Sequence, residues 1–279
     1  MRMRSFPVAG LSWLAALALL VLMTAMPRVA MAQFDHAHTA WNALLARHVV
    51  VMDGGHGTRV RYRGLAAERA ALRGYLAGLS RVTRAEYDGW SRPQRLAFLI
   101  NAYNAFTVEK VLTRYPDLKS IRDFGSVFGN PWKDRFFTLL GKAQHLDGIE
   151  HETIRAPGAF DEPRIHFAVN CAAIGCPALR EEAYVAARLE AQLEAQTVRF
   201  LSDRSRNRVS GDVLEVSRIF DWYGEDFATG HRGWTSLGAF FAANAQWLND
   251  REEVRQLVRD NRMKIRFREY DWALNDEVR

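Results

Sequence analysis

Residues 91–114 read SRPQRLAFLINAYNAFTVEKVLTR, and this stretch decides the architecture. Ser91 followed three residues later by Gln94 is a capping-box pattern, and Pro93 sits in the first turn, where a missing N–H is tolerated. The spacing predicts a helix from about Pro93 to Arg114. Its middle, Leu96 through Phe106, is apolar on every side, so the helix is expected to be buried. Asn101 and Asn104 interrupt that run on one stripe with Gln94, Ala97 and Val108. Each amide needs partners, because an unsatisfied one costs about 1–3 kcal/mol. The first expectation is a bond to the backbone of a neighbouring loop. The second is contact with substrate, with an amide turned toward a carbonyl oxyanion.

Outward from this helix the pattern is mixed. Trp41 to Val51 reads as a helix running into a short strand that returns over Arg59–Tyr62 after a turn at Asp53-Gly54-Gly55. Leu65 to Leu79 reads as one amphipathic helix. A hairpin is predicted over Arg135–Leu140 and Gln144–Leu146, and another around Gly211-Asp212 between Arg208–Ser210 and Val213–Val216. Asp147 is expected to cap a short helix with Glu150 three residues on. Arg164 to Cys171 alternates like a strand, and a long helix is expected from Arg180 to about Leu201. Helices around Leu237–Trp247 and Glu252–Arg259 precede a last strand, Lys264–Arg268. Helices and hairpins alternate without a βαβ repeat, which is an α+β class with a buried central helix and a small, mostly antiparallel sheet.

The chain has 279 residues, 48% hydrophobic and 25% charged, with 16 Phe, 8 Trp and 8 Tyr, enough apolar surface for a globular core and too much for disorder. Arg2 and Arg4 precede an uncharged stretch from Val8 to Met26, then Ala30-Met31-Ala32 supplies small residues before Gln33. That order is a secretory signal over residues 1–32, leaving one globular domain over 33–279, periplasmic or otherwise exported and without a stable membrane span after cleavage. Taking Arg2, Arg4 and Arg28 from the 38 basic residues leaves 35 against 32 acidic ones, so nothing in the charge points to nucleic acid. There is no phosphate loop, dinucleotide fingerprint, Gly-x-Ser-x-Gly or His-Glu-x-x-His, and no cofactor is expected.

Reactive side chains concentrate between His145 and Cys176. Cys171 and Cys176, the two cysteines of the chain, stand five apart. In an exported protein they suggest a disulfide. The alternative is a thiolate activated by a histidine. On a strand, His166 and Cys171 would face opposite sides, making Cys171 a core residue. Cys176, next to Pro177 and near the start of the next helix, would then be the better partner for His166. His151, His166, Cys171 and Cys176 are zinc-ligand types, but their spacing fits no zinc motif, and no metal is expected. His151 and Arg155 lie one turn apart on a short helix. Asp271 is a candidate to orient an imidazole, and the runs Phe220–Tyr223 and Tyr270–Trp272 are expected to pack the core.

Several of these segments together resemble an uncharacterised family, the domain of unknown function 547. They are Ala97–Ala105, Leu146–His151, His166–Cys171, Cys176–Arg180, Ile219–Tyr223 and Tyr270–Asn275, with Ala172 where the family more often has glycine and Leu99 where it has an aromatic residue. The resemblance implies a fold and no reaction. Its buried helix, hairpins and His-bearing segment look similar to papain- or transglutaminase-like architectures, although there a cysteine opens the central helix and here none does. Two functions are therefore expected. One is a non-catalytic periplasmic binding or scaffold module for a small-molecule or peptide ligand. The other is a thiol-dependent hydrolase or acyl transferase, with Cys176 or Cys171 as nucleophile, His166 as base and Asn101 polarising the carbonyl. Tyr103, Asn104, His151 and Arg155 are the expected binding residues.

Overall fold

A computed structural model describes residue 1 and residues 33–52, 54–125 and 130–277. The signal read over residues 1–32 thus falls almost wholly outside the described residues. The chain divides between Phe34 and Asp35, and every element below lies in the second unit.

Helix α1 (Thr39–His48) runs into strand β1 (Val49–Val51), which pairs antiparallel with β2 (Thr58–Val60). The predicted Leu65–Leu79 helix is two, α2 (Tyr62–Ala67) and α3 (Arg69–Arg81), and α4 (Arg84–Asp88) follows. Helix α5 (Arg92–Leu112) is the central one. Ser91 accepts from the Gln94 backbone while the Gln94 side chain accepts from Ser91 N–H, the reciprocal box the sequence predicts. Four consecutive residues, Ala97 to Ile100, are all buried and together go round the helix, as an all-round apolar helix requires.

Strands β3 (Phe137–Leu139) and β4 (Lys142–Gln144) form the second hairpin, and α6 (Leu146–Ile149) follows directly. Its cap is His145, whose Nδ1 accepts from Gly148 N–H at 2.8 Å, in place of Asp147. The helix then widens into a π-turn over Glu150–Ile154, closed by Arg155 N–H on the Glu150 carbonyl at 2.9 Å.

The segment read as a strand from Arg164 to Cys171 is instead a 3-10 turn over Pro163–Phe167 that passes into a loop. Arg164 to Asn170 are buried throughout, so the apparent alternation reflects packing on all sides and no pleated register. Helix α7 (Leu189–Leu201) starts nine residues later than predicted, because residues 178–185 form an irregular segment with a bend at Glu181–Glu182 before a 3-10 turn at Ala186–Arg188.

Strands β5 (Arg208–Ser210) and β6 (Val213–Val216) pair antiparallel around Gly211, whose φ of +62° suits the turn. Short helices α8 (Ile219–Trp222), α9 (Leu237–Ala243), α10 (Ala245–Leu248) and α11 (Glu252–Arg259) lead to β7 (Lys264–Phe267). Strand β7 pairs parallel with β6, and Val60 makes a parallel bridge with Asp276, while the three hairpins pair antiparallel. Phe167, Phe200, Phe220, Phe227 and Phe240 meet in one aromatic core beneath this sheet. The result is an α+β single domain. Among the described residues no helix is long and apolar enough to cross a membrane.

Candidate functional site

Both Asn side chains of α5 are structural clamps. Asn101 donates to the Tyr184 carbonyl at 2.7 Å and accepts from Tyr184 N–H at 3.0 Å, reading that residue's backbone as a neighbouring strand would. Asn104 donates to the Ala168 carbonyl at 3.0 Å and accepts from Asn170 N–H at 2.8 Å. Their polar atoms are thus engaged by backbone, as the first sequence expectation has it. Asn104 pins the chain two and four residues beyond His166.

The loop that follows holds the cysteines. Asn170 accepts from Ala172 N–H at 2.9 Å and donates to the Pro177 carbonyl at 2.8 Å, joining the two ends of the loop. The C-terminal segment zips along it: Ile174 N–H meets the Ala273 carbonyl and Gly175 N–H the Asp271 carbonyl, both at 2.8 Å. A Cβ at Gly175 would lie 3.0 Å from the Asp271 carbonyl oxygen and from the Tyr270 ring, so the approach needs glycine. Ala172 occupies the left-handed region, with φ +64°, which explains why glycine suits this position.

Cys171 and Cys176 are joined in a disulfide. Closing so short a loop contributes about 2 kcal/mol. The hydrogen bonds around it, at about 1 kcal/mol each, together outweigh that contribution. The burial expected from a strand register is reversed: Cys176 is 3% exposed and Cys171 is the more accessible sulfur. Nor does Cys176 open a helix, since α7 begins at Leu189.

The disulfide lies in the wall of a cavity of about 300 Å³. Tyr103, Trp132, Trp222, Tyr223, Tyr270 and Trp272 supply its rings, and Asp147, Glu150, His151 and His166 its titratable groups. Tyr270 and Trp272 lie 4.5 Å apart between centroids, and Trp222 meets both at 4.9 and 5.7 Å. These aromatic residues therefore form the wall and mouth of a cavity, where the sequence suggested core packing, and Trp222 remains 43% exposed. Burial first, and then the Glu150 carboxylate, raises the pKa of the Tyr103 and Tyr223 hydroxyls. No lysine or arginine occurs among the described residues of the lining.

His166 is buried, and its ring stacks on Tyr223 with centroids 3.9 Å apart. Its Nε2 lies 2.7 Å from Asp226 Oδ2. Arg155 grips the same carboxylate in a fork, Nε to Oδ2 at 2.6 Å and Nη2 to Oδ1 at 2.9 Å, and reaches His151 Nδ1 at 2.5 Å. Burial would raise the Asp226 carboxyl, but hydrogen bonds from His166 and Arg155 outweigh it and hold its pKa well below the ordinary carboxylate value. Burial lowers the His166 pKa, and the Asp226 hydrogen bond offsets only part of that. At neutral pH the pair is therefore an anionic carboxylate accepting from Nε2–H of a neutral imidazole. His166 Nδ1 is left unprotonated and has no hydrogen-bond partner. Burial likewise raises Asp147, against the opposing pull of His151, whose Nε2 is 3.7 Å away.

His166, Tyr103, His151, Cys171 and Cys176 thus come together at one cavity. Asn101, Asn104 and Arg155 are not among its lining residues, the last standing behind it on Asp226. Asp271 instead accepts from Ala273 N–H at 2.9 Å. The imidazole's carboxylate, Asp226, was missed because it carries no motif and sits 60 residues from His166. Tyr223 and Trp222 did have a signal in the family-like run Ile219–Tyr223. Among the described residues no group of three or more His, Cys, Asp or Glu is placed to hold a metal.

Residues 87–201, which carry α5, Glu150, His151, His166 and both cysteines, match the family described as protein of unknown function, DUF547. The resemblance read from the sequence is thereby established over that region, while Asp226, Tyr223 and Tyr270 lie beyond it. No curated protein and no solved structure matches the chain.

Proposed function

We propose that this protein is an exported, periplasmic binding module whose aromatic cavity takes a small organic cation. The observation that carries this is the lining: six aromatic rings and two carboxylates, with no lysine or arginine among the described residues. Ring faces attract an ammonium group, and Glu150, lining the same cavity as Tyr103 and Tyr223, supplies the counter-charge. An anionic ligand would meet two carboxylates and no lysine or arginine among the described lining residues. Export is supported by the residue order over 2–33 and agrees with the disulfide.

The test is a titration of tryptophan fluorescence with choline, with benzoate as the anionic control. Choline is expected to give a saturable change, weakened about ten-fold in Glu150→Gln, since a buried charge partner contributes roughly 1–2 kcal/mol. Flat titrations with choline and with simple primary amines would remove this reading.

A second reading is a thiol-dependent hydrolase or acyl transferase active after reduction, with Cys176 or Cys171 as nucleophile. It is favoured by the neutral His166, which lines the same cavity as the cysteines and is oriented by Asp226 as a catalytic base is. Ester turnover by reduced protein that is lost in His166→Ala would support it.

A further inference from the structure

The loop between the cysteines is already closed without the disulfide. Asn170 ties its two ends, Asn104 anchors its start, and the segment from Asp271 to Asn275 zips along it. A bond whose loop other contacts also close, placed in a cavity wall, is available for a further use.

We propose that Cys171–Cys176 is an exchangeable redox pair, which takes two electrons from a small dithiol admitted to the cavity. The surroundings of the two sulfurs assign their roles. Cys171 is the more exposed, whereas Cys176 is buried and alone receives the Cys171 backbone N–H, at 3.0 Å, while the Tyr270 hydroxyl stands 3.1 Å from its sulfur and can donate to either. The same hydroxyl lies 3.2 Å from Cys171 Sγ. Donors at a sulfur stabilise negative charge there, which makes Cys176 the leaving group and Cys171 the sulfur attacked.

In the first step a ligand thiolate attacks Cys171 Sγ. A ligand–Cys171 disulfide forms, the Cys171–Cys176 bond breaks, and its electron pair passes to Cys176, held there by the N–H and the hydroxyl. In the second step the ligand's other thiolate attacks the ligand sulfur already bonded to Cys171. The ligand closes into its own disulfide, and the electron pair passes to Cys171. The two protons of the dithiol end on the two cysteine sulfurs, so the ligand is oxidised by two electrons and the protein reduced by two. An external disulfide runs the sequence backwards and restores the oxidised pair.

This goes beyond cation binding, which is measured on the oxidised protein without thiol, so the two readings fail separately. The test is reduction of the folded chain by dithiothreitol, with thiols trapped by iodoacetamide and counted by intact mass while circular dichroism is followed. Two adducts are expected at least as fast as in the same protein unfolded in guanidinium, with the helical signal intact. Tyr270→Phe keeps the ring and removes the donor, and is expected to slow native reduction about ten-fold, the usual effect of one hydrogen bond to a charged group. Cys176→Ser should form a mixed disulfide with 2-hydroxyethyl disulfide at Cys171, while Cys171→Ser stays unmodified at Cys176. Reduction that occurs only as the helical signal is lost would overturn the proposal. So would equal modification of the two serine variants.

Discussion

His166 Nε2 and Asp226 Oδ2 lie 2.7 Å apart, across 60 residues of chain, and Arg155 holds the same carboxylate from its other side. The three groups form one charge-balanced unit, with His166 in the cavity wall and Arg155 behind it on Asp226. Removing the carboxylate leaves a guanidinium and an imidazole facing each other without an anion. Asp226→Asn is expected to lower the unfolding free energy by about 2–4 kcal/mol. Urea denaturation checks this, and adding Arg155→Met should restore part of the loss because the stranded charge goes with it.

Asn104→Ala strips partners from the buried Ala168 carbonyl and Asn170 N–H together. A loss of about 2–3 kcal/mol is expected, more than for an ordinary buried Asn with one bond. Because the clamp sets the loop after His166, choline affinity should also fall. Asn101→Ala, which frees Tyr184, should destabilise comparably but leave that affinity closer to wild type.

Trp222 stands at the cavity mouth, 43% exposed, against Tyr270 and Trp272. Trp222→Ala is expected to change stability by less than about 1 kcal/mol, as substitutions outside a packed core do. The same change should weaken choline at least several-fold, a contrast that fluorescence titration and thermal melts separate.

Acid should weaken the fold before carboxylates protonate. Burial depresses His38 from 6.5 to about 4, where its Nδ1 meets Tyr75 Oη at 2.7 Å, and it depresses His166 in the same direction. The unfolded chain therefore binds these protons first as pH falls below about 6.5, so stability is full above that value and declines toward pH 4. His38 alone contributes at most about 3 kcal/mol to this decline. Asp226, depressed instead, adds its loss only below the ordinary carboxylate range. Melting midpoints from pH 7 to pH 4 check the slope, which His38→Asn should flatten, since asparagine tolerates the left-handed backbone at that residue.

Elements whose information is local were legible in the sequence. The Ser91–Gln94 box and Pro93 mark the start of α5, apolar residues on all its sides announce its burial, and Gly211 marks the turn of the β5–β6 hairpin. Those signals act within a few residues, through hydrogen bonds and backbone conformations that any context preserves. The same locality placed His166, Cys171 and Cys176 in one short region and flagged Asn101 and Asn104 as amides in need of partners.

Long-range contacts settled the rest. Pro163–Phe167 is a 3-10 turn because it is packed from every side, and burial on every side erases the difference between a strand pattern and a turn. The late start of α7 goes with Asn101 claiming the Tyr184 N–H and carbonyl, which are thereby withheld from a helix. Asp226 meets His166, and Tyr270 meets both sulfurs, through chain reversals that no spacing encodes. Sequence chose the reactive residues. Which of them share a cavity, which sulfur is sheltered and which carboxylate serves the imidazole depend on packing between distant segments, where the free energy of burial, and no local preference, selects the partner.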